Sequence, residues 1–193
     1  MNSFRKTVKG NLKHSPSKLA LGISLTIVGI MLILGRNKPK TSLSTSFDKE
    51  PVKVEGLSSA DLDEAKIPRR IIIPFLSVDL DIKKSEIVNG FWEVFDDSAA
   101  WGVGSGLPGE IGNQIIFAHA KEDLFLPLRS IKPGMKAYIL TESDWHEYEV
   151  KDIKEVYPNQ LEVIAPTEDE NLTLYTCSGF ADSRRLIVVA KPI

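Results

Sequence analysis

Cysteine is scarce in this sequence of 193 residues, in which Cys177 is the single example. One cysteine excludes an intramolecular disulfide framework, and it excludes zinc and iron–sulfur sites that need several thiolate ligands. Histidine is almost as rare, and His14, His119 and His146 are too scattered to predict a metal cluster. Internal repeats are missing as well. The composition, with 42% hydrophobic and 26% charged residues, indicates a globular protein rather than a disordered chain.

Acidic residues are missing from the first 40 positions, which carry eight lysines and arginines. The rest of the chain holds the other 16 basic side chains and all 26 acidic ones, so its net charge is −10. A body with this charge does not attract nucleic acid, and we expect no nucleic-acid partner. A short basic tail beside an apolar run is instead typical of a membrane protein.

An apolar run follows the basic tail from Leu19 to Gly35, with 17 residues and no charge. As a helix it would be about 25 Å long at ~1.5 Å per residue, at the short end of the transmembrane range. The run ends without a small-residue cleavage site, and Cys177 is too far along the chain for a lipoprotein anchor here. We therefore predict an uncleaved signal anchor rather than a cleaved signal peptide or a buried core helix.

The chain is predicted to contain four regions in sequence order. Residues 1–18 form a cytoplasmic basic tail, residues 19–35 the transmembrane anchor, residues 36–66 an extracytoplasmic stalk, and residues 67–193 the folded domain. Five basic residues precede the apolar run and three follow it, a bias that puts the N-terminus in the cytoplasm. The predicted localisation is thus a cell membrane, crossed once, with the acidic domain outside.

Short strand patterns dominate the folded region. Apolar or alternating runs recur eight or nine times, as in Val78–Ile82, Gln114–His119 and Leu172–Cys177. This count predicts an all-β domain, closed into a sandwich or barrel of about eight strands with short helices. Closure into a barrel would also remove exposed sheet edges.

Three further segments receive specific predictions. Leu124–Ser130 is the helical candidate, kept short by its proline, and Leu161–Val163 is predicted as a strand. The glycine-rich stretch Trp101–Gly112 is predicted as a long loop, and long loops in compact domains often carry function.

Three residues could carry chemistry, and each lies at an end of a predicted strand. Cys177 offers a nucleophilic thiolate, His119 an acid–base partner for it, and Arg185 a cation that could stabilise an oxyanion. Each also has a structural explanation, because a lone cysteine is often a small buried hydrophobe and a histidine at a strand end is often only hydrogen-bonded. The residue types alone leave both interpretations open.

The segment Thr173–Cys177, TLYTC, resembles the TLxTC signature of sortases, the cysteine transpeptidases of bacterial cell surfaces. Ile71–Ile82 is similar to the first strand pair of that family, and Ala99–Ala120 to the loop that leads to its histidine. An arginine before the final strand, in SRRLIVVA, matches as well. The resemblance covers roughly Pro68 to Ile193, and an N-terminal membrane anchor is typical of the family.

The resemblance implies a closed sortase-type β-barrel with Cys177 as nucleophile, His119 as general acid–base and Arg185 as oxyanion stabiliser. Arg184 is the less suitable arginine, because adjacent residues of a strand point to opposite faces. The implied substrates are the C-terminal sorting motifs of secreted surface proteins, typically LPxTG. A peptidoglycan precursor or a pilin lysine would supply the accepting amine.

We predict neither a cofactor nor a metal, and calcium is the one alternative left open because the family has calcium-activated members. The acidic cluster of calcium-activated members is not matched upstream of His119, and the acids at Glu122–Asp123 and Glu168–Glu170 are more simply explained as solvated loops. The stalk lacks an aspartate–aromatic lid motif, and the family subclass stays open. The alternatives are a surface cysteine protease that only hydrolyses and a degenerate, membrane-tethered binding module.

The ionisation of the cysteine and histidine matters for this chemistry. With ordinary pKa values of ~8.5 and ~6.5, the thiolate–imidazolium form would be under about 1% of the protein at pH 7. No carboxylate can be assigned beside His119 from the sequence. We therefore expect the Cys177 thiol to keep a nearly normal pKa.

Overall fold

The structure, a computed structural model, describes residues 52–54 and 63–193. The predicted cytoplasmic tail, the predicted anchor and most of the predicted stalk lie outside the described residues. Within the described part, no helix combines the length and the apolar character needed to cross a membrane.

The described residues form ten β-strands and five short 3₁₀ helices. The strands are β1 (Arg70–Ile73), β2 (Val78–Ser85), β3 (Ile87–Val88), β4 (Phe91–Trp92), β5 (Ala99–Gly102), β6 (Gly112–Phe117), β7 (Lys136–Leu140), β8 (Trp145–Val156), β9 (Glu170–Ser178) and β10 (Arg184–Pro192). The 3₁₀ helices span Glu64–Lys66, Pro74–Leu76, Leu126–Ser130, Leu161–Ile164 and Phe180–Asp182.

Eight of the strands close into a barrel in the order β1-β2-β5-β6-β9-β10-β8-β7, and β7 pairs with β1 to complete the ring. Two of the pairings, β2 with β5 and β6 with β9, are parallel, and the others are antiparallel. The remaining strands, β3 and β4, form a separate hairpin. The predicted all-β barrel of about eight strands with short helices is therefore confirmed.

Strands β6, β9 and β10 are buried on both faces, which explains why they are apolar at nearly every position. Ile116, Leu174 and Val188 point into an interior cluster that fills the barrel. Their neighbours, among them Tyr175 and Ile187, belong to an outer cluster on the other face of the same strands. The two-residue period of a strand thus separates the two clusters.

The outer cluster is covered by segments that do not belong to the barrel. Val163 and Ile164 reach it from a 3₁₀ helix, and Trp92 from the β3–β4 hairpin. Residues 52–54 join this hairpin through an isolated bridge between Lys53 and Phe91, in which Trp92 N–H donates to the Val52 oxygen at 3.2 Å and Val54 N–H to the Gly90 oxygen at 2.8 Å. This short piece of the predicted stalk therefore packs on the domain.

Three local predictions need correction. Leu161–Val163 is not a strand but part of the 3₁₀ helix Leu161–Ile164, because the side chain of Asn113 donates to the carbonyls of Val163 and Ala165 at 3.2 and 2.9 Å and holds this turn on the barrel. The helix predicted over residues 124–130 begins only at Leu126, with proline in its first turn. The ends of the predicted loop 101–112 belong to strands β5 and β6, so the loop itself is shorter.

Candidate active site

Cys177 and Arg185 are direct partners across two strands. The antiparallel register of β9 and β10 sets Cys177 opposite Arg185. Side chains at opposite positions of an antiparallel pair project from the same face, with Cβ atoms about 4.5–5.5 Å apart. Cys177 lies in the outer cluster, so its thiol and the guanidinium share the outer face of the barrel.

His119 reaches the same place from β6, which runs parallel to β9. The last paired residues of this ladder are Phe117 and Tyr175, so two residues further along each chain the register brings His119 level with Cys177. The two chains stay in contact beyond the ladder, because Ala118 N–H donates to the Tyr175 oxygen at 3.3 Å and Thr176 Oγ1 donates to the Ala118 oxygen at 2.8 Å. The three residues predicted from the sequence therefore meet at one rim of the barrel.

The threonines of the TLYTC segment have a structural role that their spacing explains. Thr173 points outward and its hydroxyl donates to Asn113 Oδ1 at 2.6 Å, whereas Thr176 points inward and bonds the Ala118 oxygen. Both bonds join β9 to β6, and both threonines are buried. The segment thus fixes the strand that carries the cysteine against the strand that leads to the histidine.

Arg185 is fully buried, and its Nη1 donates to the backbone oxygens of Asp182 at 2.8 Å and Arg184 at 3.0 Å. These bonds hold the side chain under the tight β9–β10 connection. Arg184 takes a different environment, since its guanidinium stacks 3.6 Å from the ring centre of Tyr157 and donates to the Tyr157 hydroxyl at 2.8 Å. A guanidinium stays charged even when buried, so Arg185 contributes a fixed positive charge beside the thiol.

Asp96 is a neighbour of His119 that the sequence analysis missed. Its Oδ1 lies 3.8 Å from His119 Nε2 and 2.5 Å from Lys121 Nζ. Lys121, and to a smaller extent His119, hold the pKa of the Asp96 carboxyl below its usual value. A carboxylate that could not be assigned from the sequence therefore lies near His119. The expectation of a nearly normal pKa for the Cys177 thiol was based on that missing assignment, and it stays a prediction.

The register of β5 and β6 explains how Asp96 reaches the histidine. Ala100 pairs with Phe117 in this antiparallel pair, so the residues just before β5 lie beside the residues just after β6. The sequence contains Asp96 and Asp97 shortly before Ala99, but no strand was predicted over residues 99–102, and residues from Trp101 onward were assigned to a loop. An assignment of β5 as a strand paired with β6 would have brought the acid and the histidine together.

His146 lies far from this rim. It occupies the second position of β8, and the opposite end of that strand, Val156, pairs with Arg185. Ten residues of strand separate the two positions, which corresponds to roughly 33 Å at ~3.3 Å per residue. His146 instead lines a small cavity of about 230 Å³ with Glu147 and Glu170 at the other end of the barrel.

Glu170, one of the acids weighed for calcium, has structural partners. Its Oε1 accepts hydrogen bonds from the Tyr148 hydroxyl at 2.7 Å and from Gly109 N–H at 2.8 Å. Burial and the neighbouring carboxylate of Glu170 raise the pKa of Tyr148. Across residues 52–54 and 63–193, no three side chains of His, Cys, Asp or Glu come together as a set able to hold a metal ion. The expectation that the protein works without a cofactor stays a prediction.

All three residues at the rim are shielded in this conformation. The exposed fraction is 2% for Cys177, 3% for His119 and 0% for Arg185. Val52 and Val54 pack in the same outer cluster as Cys177. Burial strengthens charge interactions among the thiol, the imidazole and the guanidinium.

Comparison with known proteins gives one family. Residues 71–193 match the family model of the sortase domain. Sortase A of Bacillus anthracis is 30% identical over 137 residues, which make up 69% of this chain but only 63% of that relative. The chain therefore spans less than two thirds of the relative's length.

Solved structures of sortases also resemble the barrel, and two of them serve as examples. A lid mutant of sortase A from Corynebacterium diphtheriae has a TM-score of 0.58 and 28% identity, over 66% of this chain and 70% of that one. A sortase D5 transpeptidase from Clostridium perfringens has a TM-score of 0.57 and 25% identity, over 64% and 77% of the two chains. Because sortases of different subclasses match about equally well, the subclass stays open.

Proposed function

The chain belongs to the sortase family, and from this premise we propose that it is a membrane-anchored cysteine transpeptidase. One observation carries the proposal. The register of β9 and β10 sets Cys177 opposite Arg185, while β6 brings His119 level with the cysteine. A thiol, an imidazole and a guanidinium on one buried face can supply the nucleophile, the acid–base group and the oxyanion stabiliser for acyl transfer through a thioester.

The first half of the proposed reaction cleaves an LPxTG-like sorting motif. The Cys177 thiolate attacks the carbonyl carbon of the amide that follows the threonine, and a carbon–sulfur bond forms as the carbonyl electrons move to oxygen. The Arg185 guanidinium stabilises this oxyanion. The carbon–nitrogen bond then breaks, its electron pair stays on nitrogen, and the His119 imidazolium protonates the departing amine.

The second half transfers the retained protein to a new amine. The amine of a cell-wall precursor or a pilin lysine attacks the thioester carbonyl, while His119 accepts a proton from the attacking nitrogen. The carbon–sulfur bond breaks and the Cys177 thiolate is restored. One amide is exchanged for another, so the reaction needs neither a redox partner nor an external energy source.

We propose that the sorting motif binds along the outer face of the barrel next to the sulfur. The segment 158–166 forms one wall of this region, since Val163 and Ile164 belong to the same cluster as Cys177. Apolar walls of this kind suit the leucine and proline of an LPxTG-like motif. The motif must replace some of the side chains that shield the thiol, and we expect the leucine to take apolar contacts that the outer cluster now makes internally.

We also propose that residues 19–35 anchor the enzyme in the bacterial membrane with the barrel outside. The apolar run and its basic flanks support this proposal. Protease added to intact cells should remove a C-terminal epitope tag on the protein, while an N-terminal tag should be protected. Protection of the C-terminal tag would contradict an extracytoplasmic barrel.

The transpeptidase activity can be tested with the purified full-length chain. The protein is mixed with a set of LPxTG-like peptides and an oligoglycine amine, and the products are followed by mass spectrometry, with Cys177→Ala as the matched inactive variant. We expect a peptide–amine product from the wild type alone. A free acid product that does not decrease as the amine concentration rises would instead support the protease alternative. Equal products from the wild type and Cys177→Ala would contradict a thioester mechanism.

A further inference from the structure

An exposed carboxylate contacts the buried imidazole of His119, although the proposed reaction assigns it no role. Asp96 Oδ1 lies 3.8 Å from His119 Nε2, and the side chains are 87% and 3% exposed. This distance is too long for a direct hydrogen bond, so the two groups interact through charge or through a bridging water. A charged residue outside the cysteine, histidine and arginine set therefore lies close to the imidazole of His119.

Lys121 holds the Asp96 carboxylate in this place. Its Nζ lies 2.5 Å from Asp96 Oδ1 and also donates to the Asp96 backbone oxygen at 3.2 Å. Lys121 itself begins a turn in which its own oxygen accepts from Leu124 and Leu126 N–H, both at 3.0 Å. The ammonium is thus anchored both to the side chain and to the backbone of Asp96, which orients the carboxylate and offsets part of its charge.

The other charged or titratable groups around this site come from three elements. Cys177 lies on β9 and Arg185 on β10, whereas Asp96 lies in the loop before β5. Asp97 is adjacent to Asp96 in sequence, but its carboxylate pairs with Lys83 Nζ at 2.8 and 2.9 Å. Two neighbouring aspartates therefore make different ion pairs, and one of them includes the histidine.

We propose that Asp96 is a positioning residue that orients His119 and stabilises its imidazolium form, with Lys121 moderating the effect. The inference rests on the proposed function, because the imidazolium is the form that protonates the leaving amine. Asp96 would act on the reaction through His119 and would not itself contact the substrate.

The sign of the effect follows from the coupling of the two titrating groups. When the active form contains a thiolate and an imidazolium, its population rises as the imidazole becomes easier to protonate relative to the thiol. A nearby carboxylate favours protonation of the imidazole. Removing the Asp96 charge should therefore lower the plateau of kcat/KM and also move the acid limb of its pH profile to lower pH.

The size of the effect is modest because Asp96 faces solvent. Two unit charges at this distance in a water-like medium change an equilibrium about fivefold, and salt and Lys121 reduce that figure. We expect Asp96→Asn to lower the plateau of kcat/KM about threefold and Asp96→Glu to recover most of the loss. Lys121→Met should act in the opposite direction, because it leaves the Asp96 charge less neutralised.

The matched control is Asp97→Asn, which removes the same charge one residue away. The purified full-length wild type and variants are assayed from pH 5 to 9 with an LPxTG-like peptide and oligoglycine. Only Asp96→Asn should move the acid limb, to lower pH. Equal profiles for Asp96→Asn and Asp97→Asn would overturn the proposal. A loss of activity in Asp96→Asn without movement of the limb would also overturn it, because a purely structural role predicts that result.

A second measurement does not depend on activity. Histidine labelled with ¹³C at Cε1 gives NMR signals that can be assigned with His14→Gln and His146→Gln, and the titration of His119 is then followed directly. The midpoint should fall in Asp96→Asn and stay in place in Asp97→Asn. An unchanged midpoint in Asp96→Asn overturns the inference even if the enzyme is active. A wild type without transpeptidation refutes the proposed function, while the titration still decides whether Asp96 acts on His119.

Discussion

The two faces of strand β9 are equally buried and carry different kinds of residue. Leu172 and Leu174 point into the interior cluster of the barrel, whereas Tyr175 and Cys177 lie in the outer cluster. Burial therefore does not distinguish the residues that stabilise the barrel from the residue proposed to react. Position along the strand distinguishes them, because Cys177 lies just beyond the end of β6 and next to the start of β10. Both faces of β9 thus pack in apolar clusters, and the residue proposed to react lies on the outer face at one rim of the barrel.

Removal of the outward thiol should have the largest effect on activity. Cys177→Ala eliminates the nucleophile, and we expect transpeptidation to fall by at least about 10,000-fold. The free energy of unfolding should change by less than about 1 kcal/mol, because a small buried side chain is replaced by another of similar size. Mass spectrometry of products and denaturant unfolding measure the two quantities. A variant that unfolds much more easily would show that the outer face is also essential for stability.

The adjacent arginines provide the next test, because they share a sequence environment but not a structural one. Arg185→Lys should lower kcat/KM about 100-fold, since a lysine cannot reproduce the planar guanidinium that Nη1 fixes through its bonds to the Asp182 and Arg184 oxygens. Arg184→Lys, which disturbs a stacked pair with Tyr157, should change it by less than about threefold. Similar losses in both variants would contradict the assignment of oxyanion stabilisation to Arg185.

The inner face should respond in the opposite way. Leu174 is fully buried in the interior cluster, and Leu174→Ala should lower the free energy of unfolding by about 2–5 kcal/mol through lost packing and the cavity left behind. The activity per folded molecule should stay within about threefold of the wild type. Denaturant unfolding followed by tryptophan fluorescence, together with kcat/KM below the transition, checks both statements. A large loss of kcat/KM in the folded variant would contradict the assignment of stability to the inner face and of activity to the outer face.

The architecture could be predicted because strand patterns depend on local sequence. Alternation and short apolar runs indicated an all-β barrel, and the TLYTC segment connected Cys177 with His119 and Arg185 through a family resemblance. Residues 161–164 escaped prediction because a short apolar run has no diagnostic period, and their turn depends on Asn113, which lies about 50 residues away in sequence. Local composition does not contain such a contact.

Asp96 shows the same limit at the site itself. Its approach to His119 depends on which residue of β5 pairs with which residue of β6, and that register is set by tertiary packing. The sequence contains an acidic pair, but it does not tell which of the two aspartates faces the histidine and which faces Lys83. Cys177, His119 and Arg185 could be named from the sequence because they lie at strand ends in segments that resemble a known family. Asp96 could not be named because it lies in a loop.

Thr176 lies on the inner face of β9, but its hydrogen bond reaches the backbone next to His119. A substitution there tests whether an inner-face residue can also affect activity. Its hydroxyl bonds the Ala118 oxygen at 2.8 Å and so fixes the backbone next to His119. Thr176→Val keeps the shape and leaves that buried oxygen without this donor, at a cost of about 1–3 kcal/mol in the free energy of unfolding. We also expect kcat to fall about tenfold with KM nearly unchanged, since a small displacement of His119 weakens proton transfer more than peptide binding.

Thr173→Val, which removes the bond to Asn113 at the opposite end of the motif, is the matched control and should lower stability without the loss of kcat. If both variants lost stability alone, the inner face would serve packing only, and the placement of His119 would have to come from β6 and its own loop.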